Sequence, residues 1–151
     1  MSRRRFSFEV VRVAEAAPDR LFALETDGAR WSDWAGPGIP MSYWERRGDP
    51  DPAGVGAIRA VGAWPLLVRE ETVAYEPDRR HVYTFADTRN PVRDYRAEVS
   101  FEPLGDGRTR LRWRGSFTEA LPGTGPLAKV ALRGVIRVLS ARLVAAAERP
   151  R

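Results

Sequence analysis

Residues 106–117, DGRTRLRWRGSF, decide how the rest of the chain is read. Arg108, Arg110, Arg112 and Arg114 alternate with Thr109, Leu111, Trp113 and Gly115, the period-2 pattern of a strand with two unlike faces. Cations interleaved with an aromatic suit a nucleic-acid-binding strand, and they equally suit the solvent face of an ordinary antiparallel strand. Pairing separates the two readings. A hairpin centred on Asp106 sets Glu102 opposite Arg110, Ser100 opposite Arg112 and Glu98 opposite Arg114. On the other face Phe101 meets Leu111, Val99 meets Trp113, Ala97 meets Gly115 and Tyr95 meets Phe117. One register sorts both faces, which is strong internal support for it. An RNA platform would carry its aromatics on the solvent face among the cations; here they lie opposite. The arginines are therefore expected on a solvated outer face, with no nucleic-acid partner. Reversal of Glu98 to lysine is expected to cost no more than about 1 kcal/mol.

Working outward, 40–46, 55–62, 66–75, 80–87, 92–103 and 108–118 read as six strands, joined by the turn-forming GDPDPAG, GAWP, EPDR, TRNP and GDG. Before them FSFEVVRV, 6–13, reads as a strand with Phe6, Phe8 and Val10 on one face. The adjacent Val10 and Val11 suggest a bulge. APDRLFALETDGARWSDW then supplies a short helix opened by Pro18 and Asp19, and a second helical turn carrying Trp31 and Trp34. After LPGTGP, the segment PLAKVALRGVIRVLSARLVAAAER is rich in helix formers and long enough for about six turns. The order β-α-α-β6-α predicts a single α+β domain over 1–151. Its seven strands form one curved antiparallel sheet around the long C-terminal helix, the one element large enough to cover the apolar face.

At 151 residues, 43% hydrophobic and 30% charged, the chain has the profile of a soluble globular domain. With no cysteine and one histidine, His81, it offers no disulfide, no thiol nucleophile and no Cys- or His-rich metal site. No metal and no cofactor is expected. The basic N-terminal run lacks an apolar h-region, so cytoplasmic residence is the default expectation. The net charge of +5 sits at the C-terminus: residues 126–151 hold six basic side chains against Glu148, and the other 125 residues balance at 19 of each sign.

Extending the hairpin parity to the preceding strand puts His81, Tyr83 and Phe85 beside Val99, Ala97 and Tyr95. The inner face then carries Tyr83, Phe85, Tyr95, Leu111, Trp113 and Phe117, with Tyr43 and Ile58 as additions. A solid core is one reading of this face. A ligand cavity is the other, favoured by several tyrosine hydroxyls that need partners inside and by Gly134 and the helix alanines, which leave room.

The element order resembles the helix-grip fold of the START/Bet v 1-like superfamily, and more narrowly its bacterial polyketide cyclase/dehydrase and lipid-transport branch. The matching stretches are APDRLFALETDGARWSDW, GVGAIR at 54–59, VREETVAYEPDRRHVYTF at 68–85 and DGRTRLRW at 106–113. The resemblance implies a cavity between sheet and C-terminal helix that takes a hydrophobic small molecule such as a lipid or polyketide-like compound. A minority of such proteins use it for cyclisation or dehydration through polar groups. In this sequence those groups would be Arg69, Glu71, Tyr83, His81, Tyr43 and Arg59. An inward Arg69–Glu71 pair would suit an acidic or enolic head group, but Leu66/Val68 and Leu67/Val73 compete for the inside of that strand. His81, close behind the PDRR turn, reads first as structural. No nucleophile has an obvious base, and no catalytic residue is assigned.

Three connections, 62–67, 87–92 and 121–127, should meet at one end as a cavity mouth marked by Trp64, Pro91 and Pro126. Trp64 would close over the mouth, enter a membrane during ligand exchange, or pack on its own hairpin. Lys129, Arg133 and Arg137, spaced i, i+4, i+8, form a basic stripe. If the helix packs on the sheet, that stripe alone stays exposed, for weak contact with an anionic membrane.

Overall fold

The computed structural model describes residues 3–87 and 92–150. Seven strands, β1 (Arg5–Ala14), β2 (Met41–Arg46), β3 (Ile58–Ala63), β4 (Leu66–Glu76), β5 (Arg80–Phe85), β6 (Val92–Gly105) and β7 (Arg108–Glu119), form one antiparallel sheet in the order β1-β7-β6-β5-β4-β3-β2. Helix α1 (Pro18–Thr26) and a 3₁₀ turn (Trp31–Asp33) sit between β1 and β2, and α2 (Gly125–Ala147) closes the chain. This is the expected helix-grip α+β architecture.

The β6–β7 register is the one the alternation predicts, from Ala97 opposite Gly115 to Glu102 opposite Arg110. It breaks at Asp94 and Tyr95, where Arg93 pairs Thr118 and Arg96 pairs Ser116. Asp94 takes a left-handed φ of 51° there, so Tyr95 has no direct partner in Phe117. It stays on the inner face and stacks on Phe85 at 4.2 Å. The bulge expected at Val10/Val11 is absent, because β1 pairs β7 without interruption from Arg5 to Ala14. Instead Val11 and Val13 are exposed, and Arg12 takes the inward position. Its guanidinium donates to Ser140 Oγ (2.7 Å) and the Arg137 carbonyl (2.8 Å) of α2.

Both ends of α2 are held by side chains from elsewhere. Glu119 accepts from the amides of Gly123 (3.2 Å) and Gly125 (3.1 Å) at its start, and Arg20 of α1 donates to the terminal carbonyls of Ala147 (3.0 Å) and Ala146 (3.4 Å). Gly125 and Gly115 lie flat against the rings of Phe6 and Phe8, where a Cβ would overlap the ring. These contacts bring the helix and β7 close to β1. The main contacts of α2 are with β1, α1 and β7.

On the outer face Glu98 is shared by two guanidiniums, Arg80 at 3.2 Å and Arg114 at 2.9 Å. Burial pushes its carboxyl up, but the hydrogen bonds and charges of these arginines outweigh it and hold the group below the usual range. With two partners, Glu98→Lys is expected to cost about 1–2 kcal/mol, more than a single exposed pair would. A depressed folded value stabilises above the unfolded one and is lost as pH falls. The stability gap between wild type and Glu98→Gln should therefore be full above about pH 5 and close below about pH 4. Urea titrations at several pH values measure it, and a gap independent of pH would contradict the pairing.

Candidate functional site

The hairpin β3–β4 turns on Trp64–Pro65, which places Arg59 opposite Glu70 and Ala60 opposite Arg69. Arg59 and Glu70 point inward. The next row outward holds Tyr43, Ala60 and Arg69, and the row of Ile58 holds Arg46 and Glu71. Arg69 therefore lies on the outer face, paired with Glu45 and with Asp87 (3.3 Å). Glu71 faces Arg46 at 3.6 Å, Tyr43 is exposed, and Ile58 is buried on the outer side. None of these four joins the interior site. The reason is parity: Val68 and Glu70 occupy the inward positions of β4, and a bulge between Thr72 and Ala74 then resets the alternation.

Beneath the aromatic face lies a buried polar cluster instead. Helix α1 buries Leu21, Phe22, Glu25 and Thr26 on one stripe, so Glu25 sits a turn beyond Leu21 and is driven into the core with it. Arg59 donates through Nη1 to the Glu25 carboxylate (3.0 Å) and the Glu25 carbonyl, and through Nε to Glu70 (2.8 Å). Its guanidinium lies over Trp31 (4.2 Å) and Tyr83 (4.8 Å). Trp31 Nε1 donates to the same Glu25 carbonyl at 2.8 Å. His81 Nδ1 lies 2.8 Å from Glu25 Oε1, and Nε2 lies 2.9 Å from Thr72 Oγ1. An ionised carboxylate only accepts, so Nδ1 carries a proton. Arg59 Nη2 is buried with no hydrogen-bond partner among the described residues.

Burial alone would raise Glu25, but the charges of His81 and Arg59 overcome it and keep the carboxyl below its ordinary value. For Glu70 burial wins: its carboxyl is raised, with Arg59 offsetting only part of the cost. Burial, helped by the charge of Glu70, lifts the Tyr83 hydroxyl far above its usual range. Trp113 Nε1 donates to that hydroxyl at 3.2 Å. The cluster thus holds a fixed cation with a spare N–H edge, one carboxyl lowered and one raised from the ordinary value, and a phenol held neutral. All of these groups are buried, so a head group would meet them only through an opening of the layer above. Glu25, His81 and Thr72 also follow the acid–imidazole–hydroxyl order of a nucleophilic triad, an arrangement the sequence reading missed. All three are buried in packed surroundings, which leaves no approach for a carbonyl carbon to Thr72, and their role in this conformation is to seat the cluster.

Of the aromatic face, Tyr83, Leu111, Trp113 and Phe117 are enclosed by protein, and Tyr95 nearly so. Phe85 is only half-buried. Strand directions put the β3–β4 turn, the β5–β6 connection and the β7–α2 connection at one end of the sheet, as expected. Trp64 and Pro126 are exposed there, and Pro91 lies outside the described residues. Trp64 neither packs on its hairpin nor closes inward. Gly134 faces solvent, with nothing within reach of a Cβ, so it does not widen the interior. The half-buried apolar side chains at this end, Ile39, Val68, Phe85, Ala128 and Leu132, pack against the core.

A hairpin sum over the Trp64–Pro65 turn would have paired Arg59 with Glu70 from the sequence. Glu25 and Thr72 carried no comparable signal.

The family model for polyketide cyclase/dehydrase and lipid transport matches residues 5–148. The chain belongs to this family. No curated protein matches the sequence significantly. Among solved structures, the family member is similar to a START superfamily protein from Mycobacterium smegmatis (TM-score 0.78, 14% identity, covering 94% of this chain and 97% of that one). It is also similar to the ZhuI aromatase/cyclase from Streptomyces sp. R1128 (TM-score 0.72, 18% identity, 97% and 95%). A third is truncated norcoclaurine synthase from Thalictrum flavum (TM-score 0.73, 12% identity, 100% and 98%). At these identities the likeness establishes the fold alone.

Proposed function

We propose that the protein binds a hydrophobic small molecule, a lipid or polyketide-like compound, between the inner face of the sheet and the first half of α2, as a carrier or sensor. One observation carries this reading. Between Gly125 and Ile136 no side chain of α2 is buried, and its inward Ala128 and Leu132 stay half-exposed together with Val68 and Phe85. Apolar surface on both walls thus reaches solvent at the mouth end, at a cost of about 25 cal/mol per Å² that an apolar ligand would remove. The ligand would rest on Phe85 and Tyr95, above the closed layer of Tyr83, Leu111, Trp113 and Phe117.

Native mass spectrometry of the purified protein, before and after solvent extraction, tests this. A co-purified hydrophobic species is expected, or saturable uptake of an added fatty acid by the extracted protein. Leu132→Trp, which adds bulk between α2 and the sheet, should reduce either one. Protein that stays at its apo mass and takes up no fatty acid would overturn the reading.

The raised carboxyl of Glu70 beside Arg59 favours a second reading, a cyclase or dehydratase in which these groups and Tyr83 enolise or protonate a polyketide-like chain. Glu70→Gln separates the two: loss of turnover with ligand uptake retained supports the enzyme, and unchanged handling of the ligand supports the carrier.

A further inference from the structure

Helix α2 runs alongside β1 in the same direction. Gly125 lies on the Phe6 ring and Ser140 accepts from Arg12, so the helix line 125–129–133–136–140 follows β1 from residue 6 to residue 12. The lengths agree, at about 22 Å of helix against about 20 Å of strand. Steps of four and three keep these five residues on one face, and Gly125, Ile136 and Ser140 among them are buried. The other two are Lys129 and Arg133, both exposed. Cations therefore stand where the period of the helix calls for core side chains. The expectation that the basic stripe alone would stay exposed is corrected here: Leu127, Val130, Val135 and Val138 are exposed away from this line, while Lys129 and Arg133 turn towards β1.

The two cations line a groove of about 600 Å³ that continues over the edge strand β1 onto the outer face of the sheet. Two rows across β1, β7 and β6 complete the lining: Ser7, Ser116 and Arg96 in one, Glu9, Arg114 and Glu98 in the next. Both carboxylates are already committed, Glu9 to Arg112 (3.6 Å) and Glu98 to Arg80 and Arg114. Arg96, Lys129 and Arg133 form no ion pair among the described residues. Ser116 Oγ accepts from Arg5 at 2.8 Å, which leaves its hydroxyl hydrogen to donate.

We propose that this groove binds a small soluble molecule carrying a diphosphate or two phosphate groups. Lys129 and Arg133 hold phosphoryl oxygens from the helix side, Arg96 holds them from the sheet, and the Ser7 and Ser116 hydroxyls donate between them. Ser7 and Arg96 stand two strand spacings apart, about 10 Å, so a single charge would reach one side only and two separated charges reach both. The volume suits a small molecule, and the one aromatic in the lining, Phe8, is buried, so no ring is offered for a nucleobase to stack on. Ala128 and Leu132, which face the apolar ligand, lie on the other flank of the helix, and the groove does not depend on what the cavity holds.

Isothermal titration calorimetry of the full chain with inorganic diphosphate tests it. Saturable one-to-one binding is expected, with a dissociation constant below about 1 mM in about 50 mM salt and a steep loss of affinity in about 0.5 M salt. Inorganic phosphate should bind about tenfold more weakly or worse. Lys129→Leu with Arg133→Leu should abolish binding and leave the melting temperature unchanged or higher, because leucine suits the core line of the helix. Arg96→Gln should weaken binding about tenfold. Arg110→Gln, on the same outer face but paired with Glu102 and outside the groove, should change nothing. Diphosphate that fails to bind at about 10 mM, or that binds as well to the leucine and Arg96→Gln variants, would overturn the proposal. So would leucines that lower the melting temperature, since the two cations would then serve the packing of the helix. Co-sedimentation with phosphatidate vesicles in place of diphosphate binding would overturn it as well, by assigning the groove to a lipid head group.

Discussion

Arg59→Met is expected to destabilise the protein by about 3–5 kcal/mol, because it removes the partner of two buried carboxylates and leaves their charge uncompensated. Against a total stability of about 5–15 kcal/mol this is a large loss. Its pH dependence is the diagnostic part. Without the guanidinium, Glu70 and Glu25 should titrate above their unfolded values. A carboxyl whose folded value is raised destabilises progressively as pH climbs from the unfolded value through the folded one. The deficit should therefore be smaller at pH 5 than at pH 8, and Glu70→Gln in the same chain should recover part of it. Urea denaturation at the two pH values measures both effects. A loss below about 1 kcal/mol, or one identical at both pH values, would show that Arg59 does not hold the cluster together.

The second large effect separates packed core from ligand wall. Trp113 is enclosed, meets Trp31 edge-on at 6.2 Å and donates to Tyr83. Trp113→Ala should cost about 3–5 kcal/mol as the void and the lost hydrogen bond add. Phe85 also stacks in the aromatic layer, yet it is half-buried at the end of the sheet where the connections gather. Phe85→Ala should cost less than about 2 kcal/mol, since part of its surface already meets water, while weakening fatty-acid uptake several-fold. Thermal unfolding and a fluorescent fatty-acid titration on the two variants give the comparison. If Trp113→Ala proved mild, or Phe85→Ala left uptake untouched, the division between closed layer and open rim would be wrong.

What the sequence by itself determined is the set of features that depend on neighbours along the chain or across one tight turn. The register from Ala97–Gly115 to Glu102–Arg110 was legible because charged and apolar residues alternate strictly on both strands, and a one-residue slip would have inverted both faces at once. The sequential order of β2 to β7, the role of α2 as the cover and the end at which the connections gather followed from short turns and from the need to cover one apolar face; the place of β1 beside β7 did not.

The tertiary structure alone decided the rest. In β4, LLVREETVAYE offers charged and apolar residues to both sides, and the bulge after Thr72 changes its parity midway, so Arg69 and Glu71 turn outward and Glu70 joins Arg59, itself a candidate from the sequence, inside. Glu25 reads as an ordinary solvated residue of a short helix. It is buried because Leu21 and Phe22 drive that face of α1 into the core, where Arg59 and His81, from strands far along the chain, supply its partners. Helix α2 carries apolar residues all round, and no periodicity distinguishes the stripe that meets β1 from the one left in solvent. That choice is made by long-range packing, by the rings of Phe6 and Phe8 against Gly125 and Gly115 and by Arg12 reaching the Arg137 carbonyl.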